Sequence, residues 1–314
     1  MDCTKQLFTD FNERLSKVCE NFADQVSSKE GPTESEMAEH FKNFRSYIET
    51  NTHDFWSEPK EYLDGKSGEE FISGLDMEET LAAFNEAAEI IDDEATPYPL
   101  ADRLLSFGDA ACEKMLAMVL EKAWQPEDGE DENEFFIRFQ PCVAAIRFFG
   151  TAKYEPAMEP VLTRFCSYTS TQEYIADSVK VMMMGLETKG VPMLIDFMLE
   201  RSDEEITGPY EDMMIMLTHV GQKVPSNDIY QALRAAFRRM KSKVIAVICI
   251  GDYGDPRGIP LLKGYLDRNV HTIDRETFYE ALSAIRRLGG EINDIQDPFH
   301  DFTNKVPKDK KEKK

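Results

Sequence analysis

The sequence predicts an all-α protein: a helical N-terminal region followed by an array of stacked helical hairpins that forms an α-solenoid. Two observations carry this expectation. First, six glycines that close apolar helical stretches recur at nearly constant spacing, with Gly108, Gly150, Gly185, Gly221, Gly254 and Gly289 separated by 42, 35, 36, 33 and 35 residues. The residue before each (Phe107, Phe149, Met184, Val220, Tyr253, Leu288) and the residue four before (Leu104, Ile146, Val181, Leu217, Ile250, Ile285) are all apolar. A period of this length marks stacked supersecondary units, because one hairpin alone cannot bury its own apolar face. Second, apolar residues ahead of the array follow the 3.6-residue period of an amphipathic helix.

Taken in order, Leu7, Phe11, Leu15 and Val18 define a first helix, and Met37, Phe41, Phe44 and Ile48 a second, with Thr33 or Ser35 as its cap. A third, EETLAAFNEAAEIIDDEA, is expected to end near Tyr98-Pro99. From residue 96 each unit reads as an apolar helix, a glycine suited to a left-handed helix end, a turn, and a second amphipathic helix. Second helices are EPAMEPVLTRF, GVPMLIDFMLE, SNDIYQALRAAFRRM and IPLLKGYLDRN, with Pro156, Pro192, Pro225 and Pro256 near the turns or helix starts. The spacing of 42 contains an acidic insertion, QPEDGEDEN over 125–133. The expected organisation is an acidic helical region over 1–95, a repeat array over 96–300 and a disordered basic tail over 301–314, ending KVPKDKKEKK.

Within the array, GDYGDPRGIPLLKGYL follows the apolar run VIAVICI. A strand leading into a phosphate-binding loop would need a GxGxxG or GxxxxGK[ST] pattern and further parallel strands, and the sequence has neither. The segment instead resembles the HEAT-like repeat of the phycobilisome-lyase type. In that repeat an apolar helix ends at a Gly-Asp-Pro turn, here Gly254, Asp255 and Pro256, and the next begins apolar-Pro-apolar, here Ile259, Pro260 and Leu261. The resemblance is clearest over 244–268 and extends at the level of the helix-glycine-helix plan over roughly 100–295. It implies a curved solenoid that presents a surface to partners, and it carries no particular chemistry, since such repeats serve scaffolds, lyases, DNA glycosylases and regulators alike.

Charge narrows the partners. Residues 1–200 hold 41 acidic and 17 basic side chains, whereas 201–314 hold 18 and 19, so the net −23 resides almost wholly in the first two thirds. A surface this acidic repels polyanions, which counts against nucleic acid or an anionic membrane as a general partner. The six cysteines form no CxxC pair and several sit in apolar runs, the pattern of reduced core thiols. With no basic-then-apolar leader in MDCTKQLFTDFNERL and no membrane-length apolar run, a cytoplasmic protein is expected.

Chemistry-bearing motifs are absent. His40, His53, His219, His271 and His300 make no HExxH pattern, and there is no GxSxG elbow, so neither a metal nor a cofactor is expected. His219 reads as a hydrogen-bonded structural residue, and the methionines of 182–184, 193, 198, 213, 214 and 216 as core filler.

The informative charged feature is basic. Arg234, Arg238 and Lys241 fall at i, i+4 and i+7 on one helix, Arg239 and Lys243 adjoin them, and Arg257, Lys263 and Arg268 belong to the next second helix. By the resemblance, second helices line the concave face. Two readings follow: a solvated face paired with neighbouring carboxylates, or a groove for an acidic or phosphorylated segment. The leading functional expectation is a non-catalytic protein-protein interaction scaffold. The alternatives are a nucleic-acid-acting protein of the HEAT-like glycosylase kind and an enzyme whose carboxylates converge from distant positions.

Overall fold

The computed structural model describes residues 3–27, 34–91, 96–168, 172–200, 208–240 and 243–300, and within these the chain is helical, with no strand. The chain divides into two compact units, Met1–Val161 and Leu162–Lys314. The tail beyond residue 300 lies outside the described residues.

In the first unit, α1 (Cys3–Ser27) packs against α2 (Glu34–Ser57). Leu7, Phe11, Leu15 and Val18 are all buried, as their spacing requires. Phe44 and Ile48 are half-buried on α2, while the side chains of Met37 and Phe41 and the expected cap at Thr33 or Ser35 lie outside the described residues. Phe11 meets Phe55 and Trp56 with ring centroids at 5.4 and 4.6 Å. Two capping boxes start the next helices, Ser67 with Glu70 for α3 (Gly68–Ser73) and Asp76 with Glu79 for α4 (Met77–Ile90).

Helix α4 ends at Ile90, earlier than its composition suggests. Tyr98-Pro99 does not close it but opens α5 (Tyr98–Ser106), where proline's missing N–H costs nothing in the first turn. Next come α6 (Asp109–Glu121) and α7 (Glu132–Thr151), with α7 packed on α4 and α6. The acidic insertion supplies α7 with its cap: Asp131 accepts from the Asn133 and Glu134 amides, and Glu134 reaches back to the Asp131 N–H.

Helix α8 (Met158–Cys166) leads into the second unit, which contains α9 (Glu173–Leu186), α10 (Val191–Glu200), α11 (Gly208–Lys223), α12 (Asn227–Arg239), α13 (Val244–Tyr253), α14 (Gly258–Asn269) and α15 (Arg275–Arg287). Alternate helices, the first of each successive pair, lie against one another, α9 on α11, α11 on α13 and α13 on α15. Among second helices, α10 packs on both α11 and α12, and α14 on α13 and α15. Met182, Met183, Met213, Met214 and Met216 are buried in this packing, whereas Met184 is exposed. Burying a side chain of that size is worth about 1.5–3 kcal/mol, so contacts between helices, rather than helix propensity, dominate its stability.

The six periodic glycines split into two kinds. Gly108, Gly254 and Gly289 have positive φ, as the helix-end expectation requires, and Gly254 is the left-handed cap of α13. Gly150, Gly185 and Gly221 instead lie inside α7, α9 and α11. Gly221 serves close approach: a Cβ there would stand 2.7 Å from Cε2 of Tyr253 on the neighbouring first helix. A sixth pair of helices, expected from the glycine spacing, is not completed, since α15 is followed over 290–300 by turns, and Phe299 covers Phe278 with ring centroids at 5.6 Å.

Candidate functional site

Helices α12 and α14 meet along a seam formed by their aromatic residues. Tyr230, Arg234 and Phe237 recur at i, i+4 and i+7, so they form one stripe of α12. Leu261, Tyr265 and Arg268 repeat the spacing on α14. The stripes face each other: Phe237 and Tyr265 pack edge to face with centroids 5.3 Å apart, and the Tyr230 hydroxyl donates to the Arg257 carbonyl at 2.9 Å. Arg234 and Arg268 therefore flank the same seam, and Arg238 stands one turn beyond Arg234 on the exposed face.

Pairing distinguishes the basic residues. Arg257 is committed: its guanidinium grips Asp255 (Nη2–Oδ2 2.6 Å, Nε to both oxygens 3.0 Å), donates to Asn227 Oδ1 at 2.7 Å, and lies 4.0 Å above the Tyr230 ring. This hydrogen bonding holds the Asp255 carboxyl below its ordinary range. Lys263 is committed too, to Asp294 at 2.7 and 2.9 Å, and it stands off the α14 stripe that carries Tyr265 and Arg268. Lys243 caps α12 by donating to the carbonyls of Phe237 (2.6 Å), Arg238 (3.4 Å) and Met240. Lys241 lies outside the described residues.

Arg234, Arg238 and Arg268 differ. Arg234 donates to Gln231 at 3.2 Å, and none of the three has a carboxylate partner among the described residues. The Arg268 guanidinium folds back over α14, its Nη1 3.3 Å from where a Cβ of Gly264 would be. The absence of a side chain at Gly264 leaves room for that guanidinium. Burial raises the Tyr230 hydroxyl above its ordinary range, and the positive charges of Arg234, Arg257 and Arg238 oppose that shift. Those three guanidinium groups thus share one electrostatic neighbourhood. Arg238 and Arg268, in the last turns of their helices, also complement the negative helix ends.

No family model, curated protein or solved structure matches the chain.

The remaining candidate chemistry is sparse among the described residues. They contain no group of three or more His, Cys, Asp or Glu arranged to hold a metal ion. No helix is long and apolar enough to cross a membrane. His219 is exposed and its Nδ1 lies 3.1 Å from the Ile215 carbonyl of its own helix, consistent with a structural role. The nearest approach to a carboxylate cluster is Glu211 and Asp212 on α11, both raised above their ordinary ranges by burial. Lys180 sits among these carboxylates, 3.5 Å from Asp212 and 2.6 Å from Asp177.

Sequence spacing found Arg234 and Arg238, but it could not separate the committed from the uncommitted members of the set. The Asp255 partner of Arg257 is two residues away and readable from the Gly-Asp-Pro turn. The Asp294 partner of Lys263 is 31 residues away and carries no local signal.

Proposed function

We propose that this protein is a non-catalytic interaction scaffold, a HEAT-like α-solenoid whose α12–α14 seam receives an anionic segment of a protein partner. The observation that carries the reading is the set Arg234, Arg238 and Arg268, three guanidinium groups around one seam with no carboxylate partner among the described residues. Arg257 and Lys263, by contrast, are paired with Asp255 and Asp294. Arginines are the residues best suited to planar recognition of carboxylate or phosphate. The packing of first helices on first helices, with α10 against α12, supports the stacked-hairpin architecture.

The test is an array of acidic and phosphorylated peptides, with duplex DNA as a parallel probe, read with wild type and the Arg234→Glu/Arg238→Glu variant. Peptide binding that the variant loses supports the scaffold reading. Retention of DNA alone, again lost in the variant and steeply weakened by salt, would replace it with the nucleic-acid reading.

A further inference from the structure

We infer that the segment recognised at the α12–α14 seam carries a single phosphomonoester flanked by basic or neutral residues. This rests on the scaffold reading and narrows it to one ligand chemistry.

The first argument is donor geometry. Among the described residues every uncommitted cation of the seam is an arginine; the described lysines near it are occupied, Lys243 by the carbonyls of α12 and Lys263 by Asp294. A carboxylate offers two oxygens, enough for one guanidinium fork. A phosphomonoester offers three oxygens and close to two charges, so it can accept from two or three forks at once. Arg234 and Arg238 lie one turn apart on α12, and Arg268 comes from the facing stripe of α14. Arg257, toward the other end, is already clamped between Asp255, Asn227 and the Tyr230 ring and keeps those partners.

The second argument is the charge around that centre. Exposed carboxylates lie on the same two helices, Asp228 on α12 and Asp267 on α14, the last next to Arg268 in sequence. An extended polyanion, whether an oligo-glutamate segment or a nucleic-acid backbone, would run from the arginines onto these carboxylates. A compact dianion escapes most of that repulsion, and lysines or arginines on either side of it gain from the same carboxylates. The seam therefore selects against acidic flanks as well as for phosphate.

The experiment uses the full chain and fluorescence anisotropy with matched peptides having one central serine: phosphorylated with lysine flanks, unphosphorylated with lysine flanks, glutamate in place of phosphoserine, and phosphorylated with glutamate flanks. The first is expected to bind at least about tenfold more tightly than each of the others, with inorganic phosphate competing. Arg234→Gln, Arg238→Gln and Arg268→Gln each weaken it, while Lys263→Gln does not. These side chains are not in the buried core, so the variants are expected to keep the wild-type thermal transition, which circular dichroism checks. Equal affinity for the phosphoserine and glutamate peptides, lost in the arginine variants, would overturn phosphate selectivity and leave the scaffold reading standing. Binding of none of the four peptides, together with an empty acidic-peptide array, would overturn both.

Discussion

The Tyr253 hydroxyl accepts a hydrogen bond from the Ser226 N–H at 2.9 Å and donates one to the Ser226 carbonyl at 2.8 Å. Tyr253 ends α13, and Ser226 caps α12 by accepting from the Ile229 amide. One side chain of a first helix thus fixes both main-chain groups at the start of the preceding second helix. That second helix carries Arg234 and Arg238, so the orientation of the seam depends on this contact.

Tyr253→Phe removes both bonds and keeps the ring. A hydrogen bond of this kind contributes about 0.5–1.5 kcal/mol net, so the variant is expected to lose about 1–2 kcal/mol and a few degrees of thermal midpoint. Gly221→Ala tests the same junction from its other side. Its Cβ would stand 2.7 Å from the Tyr253 ring, and such overpacking costs about 1–3 kcal/mol. Thermal melts of the two single variants and the double variant are expected to be non-additive, because both act through Tyr253.

The thiols predict an alkaline limit. Burial raises Cys112 and Cys249 from 9.0 to about 11 and Cys142 to about 12. A group whose folded value is raised contributes stability that is complete below its unfolded value and is lost as pH rises through the folded one. Stability should therefore hold up to about pH 9 and decline above it, as measured by denaturant titration at stepped pH. At neutral pH, alkylation should reach half-exposed Cys3 and Cys19 well before buried Cys112, Cys142, Cys166 and Cys249.

The acidic insertion before α7 is anchored by Arg138, which meets Glu130 at 2.6 and 2.8 Å and donates to the Ala123 and Gln125 carbonyls at 3.4 Å. Hydrogen bonding from Arg138 brings Glu130 from 4.5 down to about 2. A depressed carboxylate contributes stability that is present above its unfolded value and lost as pH falls through the folded one, so this anchor should weaken between about pH 4.5 and pH 2. At neutral pH, Arg138→Gln is expected to expose the loop to a glutamate-specific protease, cutting faster than in wild type.

Asp212 has the opposite sign. Burial raises it, and Lys180 only partly offsets that, so its ionised form costs stability at neutral pH. Asp212→Asn should stabilise the protein at pH 7 and lose that advantage under acid conditions where Asp212 is already protonated. Lys180 keeps Asp177 at 2.6 Å in the variant. Unfolding midpoints of the pair at acid and neutral pH check both the sign and its disappearance.

Periodic patterns made the helices legible. Leu7, Phe11, Leu15 and Val18 all turned inward, because helical spacing encodes burial directly. The same glycine recurrence described two physical situations, positive-φ positions between helices at Gly108, Gly254 and Gly289, of which Gly254 is the left-handed cap, and positions inside helices at Gly150, Gly185 and Gly221. Sequence cannot separate these without knowing which neighbour approaches. The seam was legible only as spacing on α12. Its second side depended on Phe237 meeting Tyr265, and the commitment of Lys263 on a carboxylate 31 residues away.

The most direct test of the seam is an NMR titration of its arginine Nε–H resonances with phosphoserine peptide, assigned through single Arg→Lys variants. The account predicts that Arg234, Arg238 and Arg268 shift together and saturate at one concentration, while Arg257, held by Asp255 and Asn227, shifts little. Uniform small shifts at every exposed arginine, without saturation, would contradict it and reduce the seam to a solvated basic face.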